Sequence, residues 1–306
     1  MSVIDVTNPR WEIDSKPMRD VSTKSFDYIE VLENGTSSNI QAQWNSPVPS
    51  TLSFDQTNNN SFFSLNDSYF YMQFKVVKAT DGTAFTTGDK IALASSILSL
   101  FQTCTLRLNG QEVERVDYPG IRSVLLGILD YDQNKLVCQG SSEWFYPDLS
   151  DANGAVATNT SFMTRQKLTD AGLITEVRIP LRSIFSFVHD NNTVFIGQKM
   201  RIELNPMAAS ANASTLYKGQ NAAGNAVAAD GVVWIKYLSL YLSTPVPTDK
   251  IAADILSYLT DGKKDTKLWS QYNVSFMDGI SGSVGSYQFQ IPSKYARIGR
   301  VYAMFQ

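Results

Sequence analysis

Residues 101–129 read FQTCTLRLNGQEVERVDYPGIRSVLLGIL, and this stretch constrains the fold more tightly than any other. Cys104, Leu106 and Leu108 alternate with Thr105 and Arg107, which gives a strand one apolar and one polar face. Asn109-Gly110 supplies the two positive-φ positions of a two-residue hairpin turn, and the chain returns from Gln111 as a second short strand. A hairpin with one apolar face must be covered by another layer.

Strand signals dominate the rest of the chain. Alternating or β-rich runs occur at 27–32, 69–78, 136–138, 174–181, 184–188, 200–204 and 232–243. In 199–204 Met200, Ile202 and Leu204 alternate with charge, as in a sheet with one wet face. Two segments read as helices. Pro119-Gly120 precedes a stripe of Ile121, Val124, Leu125, Ile128 and Leu129, and Pro247-Thr248-Asp249 precedes Ile251, Ile255, Tyr258 and Leu259. An Asn/Ser/Pro-rich stretch at 33–53 and an Ala/Asn/Gly-rich one at 208–230 read as long loops. The expected class is all-β, built of hairpins and long connections.

Composition narrows the function. A chain of 306 residues with 43% hydrophobic residues has ample material for a core. Its 26 basic residues are scattered among 29 acidic ones without a run, so it lacks the basic footprint of a nucleic-acid binder. Only 18% of residues are charged, and a surface of Asn, Ser and Thr favours close protein contact. No segment approaches the ~18 apolar residues of a spanning helix, and MSVIDVTNPRWEIDSKP resembles neither a signal nor an anchor. Synthesis in a cytosol is therefore expected, with the N-x-[ST] sequons between Asn34 and Asn273 unmodified. Cys104 and Cys138 are expected as two buried thiols.

Candidate chemistry is sparse. His189 is the only histidine, which leaves triads and His-ligated metals without their usual component. It is expected to be a solvent-facing turn residue. Glu112 and Glu114, two apart on a strand, would share a face and could hold a hard cation or serve as an acid/base couple, but between Arg107 and Arg115 they read as a charged outer face. Asp148, Asp151, Asn153 and Gly154 suggest an oxygen-rich calcium loop without its closing Glu. The Gly/Ser run at 278–285 lacks the Lys and following helix of a phosphate cradle. Trp144-Phe145-Tyr146-Pro147-Asp148 is the best candidate for binding a carbohydrate, against a plug packed under a connection. No catalytic, cofactor-binding or metal-ligating residue is assigned, no cofactor is expected, and the chain is not read as an enzyme.

The order SLNDSYFYMQFKVVKATDGT (64–83), SSILSLFQTCTLRLNGQEVE (95–114) and DYPGIRSVLLGILDY (117–131) resembles the first barrel of the double jelly-roll major capsid proteins of Polinton/Maverick elements, Polinton-like viruses and adintoviruses. The matching residues are Leu65 to Tyr69, Ser99-Leu100-Phe101, Asn109-Gly110, Tyr118-Pro119 and Leu125-Leu126. Downstream they are Arg165, Ile179-Pro180-Leu181 with Phe185, Arg201 to Leu204, and the strand 232–243. The match covers about 60 to 260; Ala94-Ser95-Ser96-Ile97-Leu98 departs from the family's Asn-Asn and His. The resemblance implies an N-terminal arm at 1–26, a first jelly-roll barrel at 27–246, a linker helix at 247–264 and the start of a second barrel at 265–306. It further implies a structural capsid protein located in the virion. Such a chain would form a homotrimer with a pseudo-hexameric footprint, contact neighbouring capsomers with penton and minor capsid proteins, and tile the icosahedral shell of a DNA virus. It would neither insert in a membrane nor bind nucleic acid sequence-specifically. The alternatives are a minor or penton capsid protein and a carbohydrate-binding jelly roll.

Overall fold

The computed structural model describes residues 23–34, 42–43, 51–57, 61–78, 81–85, 91–93, 95–146, 160–207, 216–218, 231–261, 267–272 and 274. Its principal strands are β1 (Thr23–Val31), β2 (Leu52–Gln56), β3 (Phe63–Lys78), β4 (Phe101–Leu108), β5 (Gln111–Asp117), β6 (Thr175–Pro180), β7 (Met200–Pro206) and β8 (Gly231–Pro247). They pair antiparallel in a nested series: β1 with β8, β2 with β7, β3 with β6, and β4 with β5. That is one long hairpin folded on itself. Rolling it up adds two seams, β8 on β3 and β7 on β4, and divides the strands into sheets ordered β1-β8-β3-β6 and β2-β7-β4-β5. This is a jelly roll.

The inner faces make the core. Along β3, Phe70, Met72, Phe74 and Val76 are buried while Tyr69, Tyr71, Gln73 and Lys75 point outward. Phe54, Leu106, Ile202 and Leu204 oppose them from the second sheet, and the Phe54 and Phe70 rings meet edge to face at 5.0 Å. Each such side chain contributes about 1.5–3 kcal/mol by leaving water. The two outer faces differ. The second sheet's is charged, with Arg201 2.9 Å from Glu203 and Arg107 3.4 Å from both Glu112 and Glu203. The first sheet's is aromatic: Tyr69 stacks on Tyr241 at 5.3 Å, Tyr28 and Tyr71 meet these rings edge-on, and the Arg178 guanidinium lies 3.8 Å over Tyr69.

Three helices of ten residues or more accompany the sheets among the described residues: α1 (Pro119–Asp130), α2 (Thr160–Thr169) and α3 (Asp249–Thr260). Asn109 at φ 50° and Gly110 at φ 79° form the expected turn. Other expectations need correction. β1 begins at Thr23, so 23–26 belong to the sheet and not to an arm; residues 1–22 lie outside the described residues. The stretch 33–53 contains the start of β2, whose Phe54 is fully buried, and β3 begins at Phe63 and not at 69. Residues 184–188 form no strand but two helical turns, Leu181–Ile184 and Ser186–Asp190, because side chains from elsewhere satisfy their backbone. Residues 136–138 also coil helically, in Leu136–Gly140, which leaves Cys138 exposed while Cys104 is buried. The apolar stripe of α1 is turned partly outward: its buried residues are Pro119, Gly120, Arg122 and Gly127, whereas Ile128 and Leu129 are about half exposed. In 208–230, Leu216–Lys218 pairs with Ile91–Leu93.

Candidate functional site

Glu112 and Glu114 do not share a face. Glu112 pairs opposite Arg107 and Glu114 opposite Leu106, so Val113 is an extra residue, a β-bulge that resets the alternation. Glu112 therefore stays outside with Arg107, and Glu114 is driven inward, 2% exposed. There its carboxylate accepts the backbone N–H groups of Ser186 at 3.0 Å and Phe187 at 2.7 Å, capping the turn Ser186–Asp190. Burial pushes the Glu114 carboxyl above its usual range, opposed by those two N–H groups and by Arg122.

Arg122 arrives from the other side. Tyr118, held at φ 50°, turns the chain sharply from β5 into α1. The first turn of α1 then lies directly on the 3₁₀ turn Ile97–Leu100, so close that a Cβ on Gly120 would sit 2.5 Å from the Ser99 Cα. This contact aims Arg122 inward, where its guanidinium donates to the Ile184 carbonyl and the Ser186 hydroxyl. Burial pulls Arg122 below its usual range, and Glu114 opposes that shift. The turn 184–187 is thus held by an acid from the hairpin and a base from α1.

The far side of this turn carries a second segment of chain. Residues 267–272, which follow α3, run back across it. Trp269 meets the Phe187 ring edge-on at 5.1 Å, the Ser270 N–H donates to Asp190 Oδ2 at 2.9 Å, and Asn191 Nδ2 donates to the Leu268 carbonyl at 3.3 Å. The Tyr272 ring faces the Arg122 guanidinium at 5.0 Å. Between this strap, α1 and the turn lies a cavity of about 430 Å³, whose wall includes Arg122, Tyr131, Glu143, Arg182, Asp190 and Tyr272.

His189 is exposed, as expected for its neighbourhood, but it lies in the short helix Ser186–Asp190 and contacts Asp190 at 2.9 Å. Trp144 and Phe145 are 0% and 4% exposed; Trp144 packs edge-on against Phe74, and Arg165 donates to the Tyr146 carbonyl at 2.6 Å. Trp144 and Phe145 are a plug and present no face to a sugar, while Tyr146 is half-buried. Asp148, Asp151, Asn153, Gly154 and 278–285 lie outside the described residues. Among the described residues no three His, Cys, Asp or Glu side chains gather as a metal site requires, and no helix is long and apolar enough to cross a membrane. The sequence marked Glu114 only as half of a pair and passed over Arg122, Asp190 and Asn191.

No family model matches the chain, and no curated protein sequence matches it. Among solved structures the chain is similar to a chain of the Sputnik virophage at 13% identity and a TM-score of 0.49, over 81% of this chain and 53% of that one. It is similar to the Faustovirus major capsid protein at 10% identity and a TM-score of 0.44, over 85% and 59% of the two chains. The mavirus major capsid protein gives 12% identity and a TM-score of 0.42, over 82% and 54%. The chain spans about half the length of these solved chains.

Proposed function

We propose that this chain is a viral structural protein, a major capsid protein of the double jelly-roll kind found in Polinton-like elements and viruses. In this reading residues 23–247 are the first barrel, α3 is the linker, 265–306 open a second barrel, and the residues ahead of β1 are an arm. Three copies form a pseudo-hexameric capsomer, which packs with its neighbours into the shell of the virion.

The observation that carries the reading is where the family-like motifs fall on the nested strand order. Asn109-Gly110 is the β4–β5 turn, Tyr118-Pro119 the entry to α1, Ile179-Pro180-Leu181 the exit of β6, and Arg201 to Leu204 lies in β7. Motifs met in order along the chain coincide with successive turns and strands of one barrel. A jelly roll suits a shell because its sheets make a rigid block while its end connections lengthen freely for contacts. Purified chain measured by light scattering should have the mass of three copies, and electron microscopy should show trimers or particles. A mass of one chain at micromolar concentration would overturn the trimer.

A further inference from the structure

Under the capsid reading, whatever follows α3 must be held at a fixed angle to the barrel. Along α3, Ala253, Asp254, Leu256, Ser257, Tyr258 and Thr260 are exposed, and the ion pair of Lys24 with Asp249 at 2.7 Å is solvent-facing. A surface pair of this kind contributes little. Beyond the helix, residues 268–272 contact the barrel directly. We infer that the turn Ser186–Asn191 is a docking socket for residues 267–272, and that this socket sets the orientation of the chain after the linker against the first barrel.

The socket grips in complementary ways. Phe187, 4% exposed, offers its ring to Trp269, which adds apolar area to the edge of the core. Asp190 and Asn191 address backbone, one accepting from the Ser270 N–H and the other donating to the Leu268 carbonyl. Arg122 closes the far end against Tyr272. Leu268, by contrast, is 81% exposed, so its side chain takes no part. The socket is rigid because both its N–H groups at Ser186 and Phe187 are fixed on Glu114, while Ile184 and Ser186 are fixed on Arg122. Glu114 and Arg122 are thus positioning residues: they touch the turn, and the turn holds the strap.

The experiment uses the full chain and reads hydrogen exchange at 267–272 together with assembly by light scattering. Asp190→Ala, which removes the charge-assisted acceptor of the Ser270 N–H, and Trp269→Ala, which removes the ring seated on Phe187, should each raise exchange at the Ser270 amide about tenfold or more. Both should leave exchange in β3 and β8 unchanged and reduce the trimer fraction. Asp190→Asn, which keeps an acceptor oxygen, should restore most of the protection, and Leu268→Ala should behave as the unaltered chain. Protection at 267–272 that survives both disruptive changes overturns the socket. Lost protection with unaltered trimer formation overturns its orienting role. Failure of the unaltered chain to assemble counts against the capsid reading alone, because exchange decides the docking independently.

Discussion

Gly120→Ala sets two physical effects against each other. Gly120 is the second residue of α1, and replacing a helical glycine by alanine ordinarily stabilises by up to about 1 kcal/mol. Here the new Cβ would lie 2.4 Å from the Ser99 Oγ, 2.5 Å from its Cα and 2.6 Å from its N, against an ordinary carbon contact of about 3.5–4.0 Å. One partner must retreat by about 1 Å. The 97–100 turn resists, since Ile97, Leu98 and Leu100 are buried and Ser96 caps it by accepting the Leu98 N–H at 3.3 Å. Overpacking against backbone costs about 1–3 kcal/mol, at the upper end where no side chain can swing away, so the steric effect wins. With the propensity gain subtracted, the expected net loss is roughly 1–2 kcal/mol, a fall in Tm of roughly 2–8 °C for a barrel of this size. Thermal unfolding and urea titration would measure it. Displacing α1 also withdraws Arg122 from Ile184, so exchange at 267–272 should rise with it. A Gly120→Ala protein as stable as the parent would refute the close approach of α1 to the 97–100 turn, and with it the account of how Arg122 is aimed.

Leu106→Ala removes a fully buried side chain between the sheets and should cost about 2–5 kcal/mol in urea unfolding. Glu112→Gln, which breaks an exposed pair at 3.4 Å, should stay within about 0.5 kcal/mol of the parent. A thiol reagent should label Cys138 in the folded chain and Cys104 only after unfolding, because Cys104 is buried in the core and its thiol is pushed far above the usual range by desolvation; rapid labelling of both would refute the β4 assignment. Although partial burial opposes it, hydrogen bonds from His189 and the Ser270 N–H hold the Asp190 carboxyl below its usual range. A lowered folded pKa contributes stability above the unfolded value of ~3.9 that is lost as pH falls through the folded one. Strap protection factors should therefore be flat from neutral pH to about pH 4 and decline below it, with no such decline in Asp190→Ala.

The barrel was legible in the sequence wherever its determinants are local. The 101–117 hairpin is written in period-two alternation and an Asn-Gly turn, and the structure places both there. Local pattern failed where long-range contact decides. Ile184 to Val188 has the composition of a strand, yet all five residues are buried where two helical turns meet at an extended Phe185, and Glu114 and Arg122 hold that junction. The apolar stripe of α1 has core periodicity, yet the helix is seated by Gly120, Arg122 and Gly127, where small size and charge matter more than apolarity. Glu112 and Glu114 show the reason in its simplest form. Spacing of two puts them on one face only in a regular strand, and the bulge at Val113 is set by how β5 pairs with β4 across the hairpin. The strap was hidden for a related reason. Glu114, Asp190 and Asn191 all hold backbone groups, and a side chain that binds an amide is indifferent to the residue carrying it. Such contacts leave no matched pair of residue types for a sequence reading to find, and they emerge only when the fold brings the two stretches of chain together.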